Sequence, residues 1–246
     1  MGDEKQMRNF PLDKGLPSIN YIVKNWPRTK CILKKYVLSN HKKPDLYSIA
    51  IICLKELKVF KIKDYKSMIK ELSKLCLRNI CFNSYHDSHH FKSVLVISCI
   101  LGKKINLKYK DRLLLVIIAL THDMNHQGRR ILLSKPYYQE LKSYEGLQKI
   151  LFRKILNFKE LKRIKRIFES TFFPIKPENV EDNLEKIILD ADILSSLMFG
   201  PEVGVQLARR LKQEIRYNDN SEILFTNFLK LLGGKCLYLD YSKKSC

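Results

Sequence analysis

Apolar residues recur at three- and four-residue spacing along most of this chain, which is the period of a helix with one buried face. Glycine and proline, the residues that punctuate turn-rich sandwiches and barrels, number only 9 and 8 in 246 residues. The expectation is an all-α fold, a compact multi-helix bundle. With 45% hydrophobic residues the chain can fill one large core, so residues 1–246 read as a single domain, with a polar tail over about 1–18 and a core from about 46 to 232. Amphipathic helices are expected over Ile32 to Leu57 and Tyr65 to Leu77, with a polar, proline-containing break at Ser39 to Pro44, and then over Ser84 to Leu101 and Lys110 to Asn125. Helical period continues from Tyr138 to Phe168 and is interrupted by the two prolines of FFPIKPENVED. It resumes over Asn183 to Met198, Val203 to Arg216 and Ser221 to Leu232, where Gly233 and Gly234 end the last helix.

The best candidate for a membrane span, Leu113 to Leu120, is a short apolar run against the roughly 20 residues a span requires. The N-terminus is polar, lacks the apolar segment of a signal peptide, and has Gln6 where a myristoylation signal has Ser or Thr, so a cytoplasmic location is expected. Seven cysteines, at 31, 53, 76, 81, 99, 236 and 246, form no CxxC pair; reduced thiols are expected in place of a zinc site or a disulfide framework. The net charge of +21 attracts phosphate-bearing partners, whether nucleotides, nucleic acid or an anionic membrane surface. The lysines are dispersed from Lys5 to Lys244 between apolar residues, as solvated helix faces require, so charge alone selects none of these partners, and the oligomeric state is left open.

Five of the six histidines fall in two short segments, YHDSHH (His86, His89 and His90) and THDMNH (His122 and His126). On a helix His86 and His90 would share a face, as would His122 and His126, with Asp123 beside them. Imidazole and carboxylate together suit divalent ions that keep open positions for water. The run from Leu113 to Leu120 leads a buried helix directly into Thr121, His122 and Asp123, where an unpaired carboxylate would cost several kcal/mol. A bound cation removes that cost. A later helix offers further carboxylates at Asp190 and Asp192, embedded in the apolar IILDADIL.

These segments resemble the catalytic domain of class I 3',5'-cyclic nucleotide phosphodiesterases, a branch of the HD-domain phosphohydrolases. The family's Tyr-His-Asn, two residues, His-Ala corresponds to Tyr85-His86-Asp87-Ser88-His89-His90-Phe91, its His-Asp, two residues, His-Pro-Gly to His122-Asp123-Met124-Asn125-His126-Gln127-Gly128, and its Ala-Asp-Ile-Ser to Ala191-Asp192-Ile193-Leu194. The resemblance spans roughly Leu46 to Leu232. It implies an HD-type helical bundle that hydrolyses cyclic AMP or cyclic GMP to the 5'-monophosphate with two divalent metal ions, zinc and magnesium or manganese. His90, His122, Asp123 and Asp192 would hold the first ion, and Asp123 would bridge to the second. His86 would be the general acid beside Asp87, His126 a phosphate-facing group, Tyr85 a wall of the pocket, and Glu145 an orderer of water around the second ion, with Asp190 supporting the ligands. Asp87, Ser93, Gln127, Ile131, Gly146 and Leu147 depart from the family pattern, which bears most on the second ion. Glu222 and Phe225 would stand for the family's base-binding glutamine and phenylalanine; a carboxylate only accepts hydrogen bonds, which would favour guanine over adenine. Two alternatives stay open: an HD phosphohydrolase acting on another nucleotide or phosphoester, and a basic nucleic-acid or membrane-binding protein with a degenerate site.

Overall fold

Helix α4 (Ser88–Lys104) is the spine of the molecule: every residue from His89 to Gly102 is buried. A helix apolar on all sides must be covered on all sides, and α4 is packed by α1 (Ile19–Lys24), α2 (Leu46–Glu56), α5 (Tyr109–Thr121) and α8 (Asn183–Leu197). This computed structural model describes residues 11–13, 16–25, 28–32, 34, 45–78, 83–128, 135–151, 157–172, 179–233 and 237–244. Around the spine, α3 (Ile62–Arg78) packs on α2 and α5, α6 (Tyr138–Leu151) on α7 (Phe158–Ser170), and α9 (Pro201–Ile215) on α8 and α10 (Ser221–Leu232). The short α11 (Asp240–Lys243) lies against α4. The fold is all-α, apart from a two-stranded antiparallel ribbon, β1 (Pro11–Asp13) and β2 (Leu16–Ser18). No helix among the described residues is long and apolar enough to cross a membrane.

Three expectations are modified. Part of the expected N-terminal tail forms that ribbon, and the core reaches beyond 46–232 to include Ile22, Leu237 and Leu239. The unbroken period from Tyr138 to Phe168 conceals two helices: Asn157 accepts from the Glu160 amide while Glu160 returns a bond to the Asn157 amide, a capping box that restarts the chain as α7. Helix α5 ends at Thr121, so His122 to Asn125 form a turn and not a last helical turn. The expected break at Ser39 to Pro44 lies outside the described residues. Cys31, Cys53, Cys76 and Cys99 are free thiols; Cys81, Cys236 and Cys246 lie outside the described residues.

One ion network fixes the helix that carries the later aspartates. Arg163 on α7 bonds both carboxylate oxygens of Asp182 and also reaches Asp111 on α5 (2.6 Å). Asp182 is at the same time the N-cap of α8, accepting from the Leu184 amide at 2.9 Å. Helices α5, α7 and α8 are thereby tied at one end, which sets the register of Asp192 against the end of α5.

Candidate metal centre

The start of α4 is made by Asp87, whose carboxylate accepts the amides of His89 (2.8 Å) and His90 (3.0 Å). The cap spends the carboxylate that was expected beside the His86 ring, and it leaves His86 in the bend before the helix with His90 in its first turn. His86 and His90 therefore do not share a helical face; neither do His122 and His126, which the turn after α5 separates. Each histidine pair instead divides its members between two neighbouring clusters.

The first cluster joins α4, the end of α5 and α8: ligand atoms of His90, His122, Asp123 and Asp192 all lie within 4.8 Å of one another. His90 Nε2 is 3.2 Å from Asp123 Oδ2 and 3.4 Å from Asp192 Oδ1, and His122 Nε2 is 3.1 and 3.9 Å from the same two oxygens. Ligands placed tetrahedrally at about 2.0–2.1 Å from a zinc ion are about 3.4 Å from one another, so these separations fit a cation. His122 Nδ1 donates to the Ala119 carbonyl (3.1 Å), which turns Nε2 inward toward the two carboxylates. Despite the 3.1 Å approach of Asp123, that buried nitrogen has no hydrogen-bond partner. An orphaned imidazole nitrogen beside two carboxylates has the donor set a metal requires. Burial pushes the Asp123 carboxyl up, but His122, His90 and His86 outweigh it and hold it well below the usual carboxylate range. Burial likewise disfavours the charged form of His122, but Asp123 and Asp192 overcome it and push the ring up to about 9 in the metal-free protein.

The second cluster is His86, His126 and Glu214, whose ligand atoms are also within 4.8 Å of one another. Glu214, on α9, accepts the amides of Tyr85 (2.8 Å) and His86 (3.0 Å) with one oxygen and meets His86 Nδ1 at 2.7 Å with the other. The His126 ring stacks on that of His86 at 3.4 Å. His126 Nδ1 lies 3.2 Å from the Gly128 amide and 3.3 Å from Glu214 Oε1, and His86 Nδ1, at 2.7 Å, is the closer partner of that carboxylate. Gly128 has φ +58 and its missing Cβ would lie 2.8 Å from Asn83, whose amide holds the His126 carbonyl; only glycine suits that turn. Burial, reinforced by His126, lowers the pKa of His86 against the pull of Glu214 and Asp123. Its Nε2 faces Asp123 Oδ2 at 3.9 Å.

Both clusters open on one cavity of about 380 Å³, lined among others by Tyr85, His86, Asp123, His126, Asp192 and Glu140. Tyr85 bonds Ser196 through its hydroxyl (2.7 Å). Phe172, Ile193, Leu211 and Phe228 give the cavity an apolar wall. Two larger surface depressions, of about 580 and 590 Å³, hold neither cluster.

Other expected residues are elsewhere. Glu145 is on the surface, paired with Lys142 at 2.8 Å. Asp190 is fully buried and turned from the cavity, where it accepts the amides of Tyr238 (2.8 Å) and Leu239 (2.9 Å) and ties the C-terminal segment to α8. Glu222 lines the 580 Å³ depression. Phe225 is buried against Gly204 of α9, where any Cβ would come within 2.2 Å of its ring; Phe228, three residues on, is the phenylalanine of the cavity. Glu214 and Glu140 were not expected. A signal for Glu214 exists: it continues the apolar stripe Val203, Leu207 and Leu211 of α9, where a carboxylate has no reason to be unless it is bonded.

Comparison of the chain with family models, with curated proteins and with solved structures finds no match.

Proposed function

We propose that this protein is a metal-dependent phosphodiesterase acting on 3',5'-cyclic nucleotides. The observation that carries the reading is the orphaned Nε2 of His122, facing Asp123, Asp192 and His90 at cation-fitting separations in a cavity shared with the His86–Glu214 pair. His90, His122, Asp123 and Asp192 would hold the first ion. Asp123 together with Glu140, whose Oε2 is buried without a partner on the same cavity, suits a second, the role that Glu145 is too far outside to fill. When bound, divalent cations would supply Lewis acidity at phosphorus and a nucleophile from water.

The remaining work falls to side chains. Glu214 fixes the backbone and ring of His86 and stabilises its imidazolium, with Nδ1–H toward the carboxylate and Nε2–H toward the cavity. Burial, reinforced by His126, lowers the pKa of His86, and the negative charge of an incoming phosphodiester would favour its acid form. His86 then protonates the departing 3'-oxygen as the phosphorus–oxygen bond breaks, and the product is a 5'-monophosphate. The apolar wall of Phe172, Ile193, Leu211 and Phe228 suits the flat face of a base. Glu222 stands outside this cavity, so the expected preference for guanine loses its support.

Purified protein with zinc, manganese or magnesium, offered cyclic AMP, cyclic GMP, a 2',3'-cyclic nucleotide and a nucleoside triphosphate, tests the reading. The expected result is 5'-monophosphate from a 3',5'-cyclic substrate, none from Asp123→Asn, and a His86→Ala protein that binds metal without turnover. Triphosphate hydrolysis alone would transfer the site to the other HD-type reading, and no turnover at all would remove the enzymatic one.

A further inference from the structure

We propose that the outer face of α3 is a track for single-stranded nucleic acid. At the 100° per residue of a helix, Lys63, Lys66, Lys70, Lys74 and Arg78 fall within a sector of about 120°, and all five are exposed. Among the described residues none of them is in an ion pair. On α7, by contrast, Arg163, Lys165 and Arg166 all face carboxylates. The line of charge on α3 is about 22 Å long with a cation every 4.5 to 6 Å or so, the scale on which an extended phosphate chain repeats.

At the start of this line stands an aromatic pair in solvent. Phe60 is 69% exposed and Tyr109 46%, with ring centroids 4.9 Å apart, and the Tyr109 hydroxyl accepts the Phe60 amide at 3.0 Å. A row of cations leading to a fixed aromatic platform is the arrangement that follows a strand's backbone and stacks its bases. An anionic membrane fits less well. Asp64 and Glu71 stand along one shoulder of the stripe, where a plane of lipid headgroups would meet them and a single chain would not. The apolar side of α3, Met68, Ile69, Leu72 and Cys76, is in the core and cannot enter lipid. At its far end Cys76 donates to the Leu120 carbonyl (3.1 Å), so the track ends beside the helix that delivers His122. The inference does not depend on the reading of the metal centre.

Fluorescence anisotropy with a labelled 20-nucleotide oligothymidylate at several salt concentrations tests it. Five phosphate contacts give a slope of log K against log salt of about −3.5, which Lys63→Gln, Lys66→Gln, Lys70→Gln and Lys74→Gln together should reduce to about −0.7, with at least about a hundred-fold loss of affinity at 0.1 M salt. Phe60→Ala should cost about ten-fold at unchanged slope. Lys149→Gln, Lys159→Gln, Lys162→Gln and Lys230→Gln, the same charge removed elsewhere, should leave the slope near its parent value. Equal loss in that control, binding to phosphatidylserine vesicles without binding to the oligonucleotide, or no binding by the parent protein would each overturn the proposal.

Discussion

A carboxyl group with one oxygen sealed from water and no partner holds its proton to higher pH than a solvated one, and Glu140 is such a group. Burial, with Asp123 adding to it, raises its pKa to about 7 from the ordinary 4.5. The folded value is the higher one, so the stabilising proton is held in full below about pH 4.5, and the metal-free protein loses that stability as pH climbs through 7. Glu140→Gln should therefore raise the Tm of the metal-free protein at pH 8 and leave it unchanged near pH 4. With saturating divalent cation at pH 8 the order should reverse, because only the ionised parent can hold a second ion; scanning fluorimetry that finds no reversal would detach Glu140 from the metal. Glu214 is the opposite case. Burial would raise it, but the bonds from His126 and His86 outweigh burial and hold it below the carboxylate range. Glu214→Gln keeps volume and removes the charge that supports a His86 imidazolium, so kcat should fall about 10² to 10⁴-fold while metal content by elemental analysis is unchanged. The histidines and Asp192 are legible from the sequence because these candidate ligands cluster in short segments or interrupt an apolar run. Glu140 is not, because it is a lone acid on an otherwise ordinary amphipathic helix and acquires its role only from what packs opposite, whereas Glu214 leaves the weaker signal of an acid on the apolar stripe of α9.

At the scale of elements, period is a good guide to helix and a poor one to where helices stop. The boundaries that matter here are local: Asp87 starts α4 one residue after His86, Asn157 caps α7 inside a continuous pattern, and the turn from His122 to Asn125 takes His126 off the axis of α5. Sequence spacing therefore brings the right segments together while misplacing individual histidines within them. Asp182 is the boundary residue with most riding on it, since it caps α8 and is the doubly bonded partner of Arg163. Asp182→Ala removes the cap, worth about 1 kcal/mol, and leaves a partly buried guanidinium with Asp111 alone. The expected loss is about 2 to 3 kcal/mol, or a Tm lower by roughly 5 to 10 °C for a chain of this size. Because α8 carries Asp192, the variant should also bind zinc more weakly; unchanged Tm and unchanged zinc affinity would show that α4 and α9 hold α8 without help from the ion network.

Over the whole molecule, the candidate metal centre brings ligand atoms from α4, the end of α5 and α8 within 4.8 Å of one another. A cation there ties together segments more than a hundred residues apart, an arrangement the unfolded chain cannot reproduce, so binding is stability. At a hundred times its Kd the ion should add about 2.7 kcal/mol, a Tm increment of roughly 5 to 10 °C. The increment should depend on pH in a defined direction. In the metal-free protein the His122 proton is retained up to about 9, and an ion that takes Nε2 must displace it, so the gain should grow from pH 6 toward 9 and be accompanied by proton release. Calorimetry in buffers of different ionisation enthalpy counts those protons directly. Ionic strength has to be held constant throughout, because a net charge of +21 strains the compact state by self-repulsion and any added salt relieves it. Asp123→Asn and chelator should both abolish the increment. If zinc, manganese and magnesium shift the parent and Asp123→Asn equally, the ions act at the surface, and His90, His122, Asp123 and Asp192 are an ion cluster that holds three helices together with no metal between them.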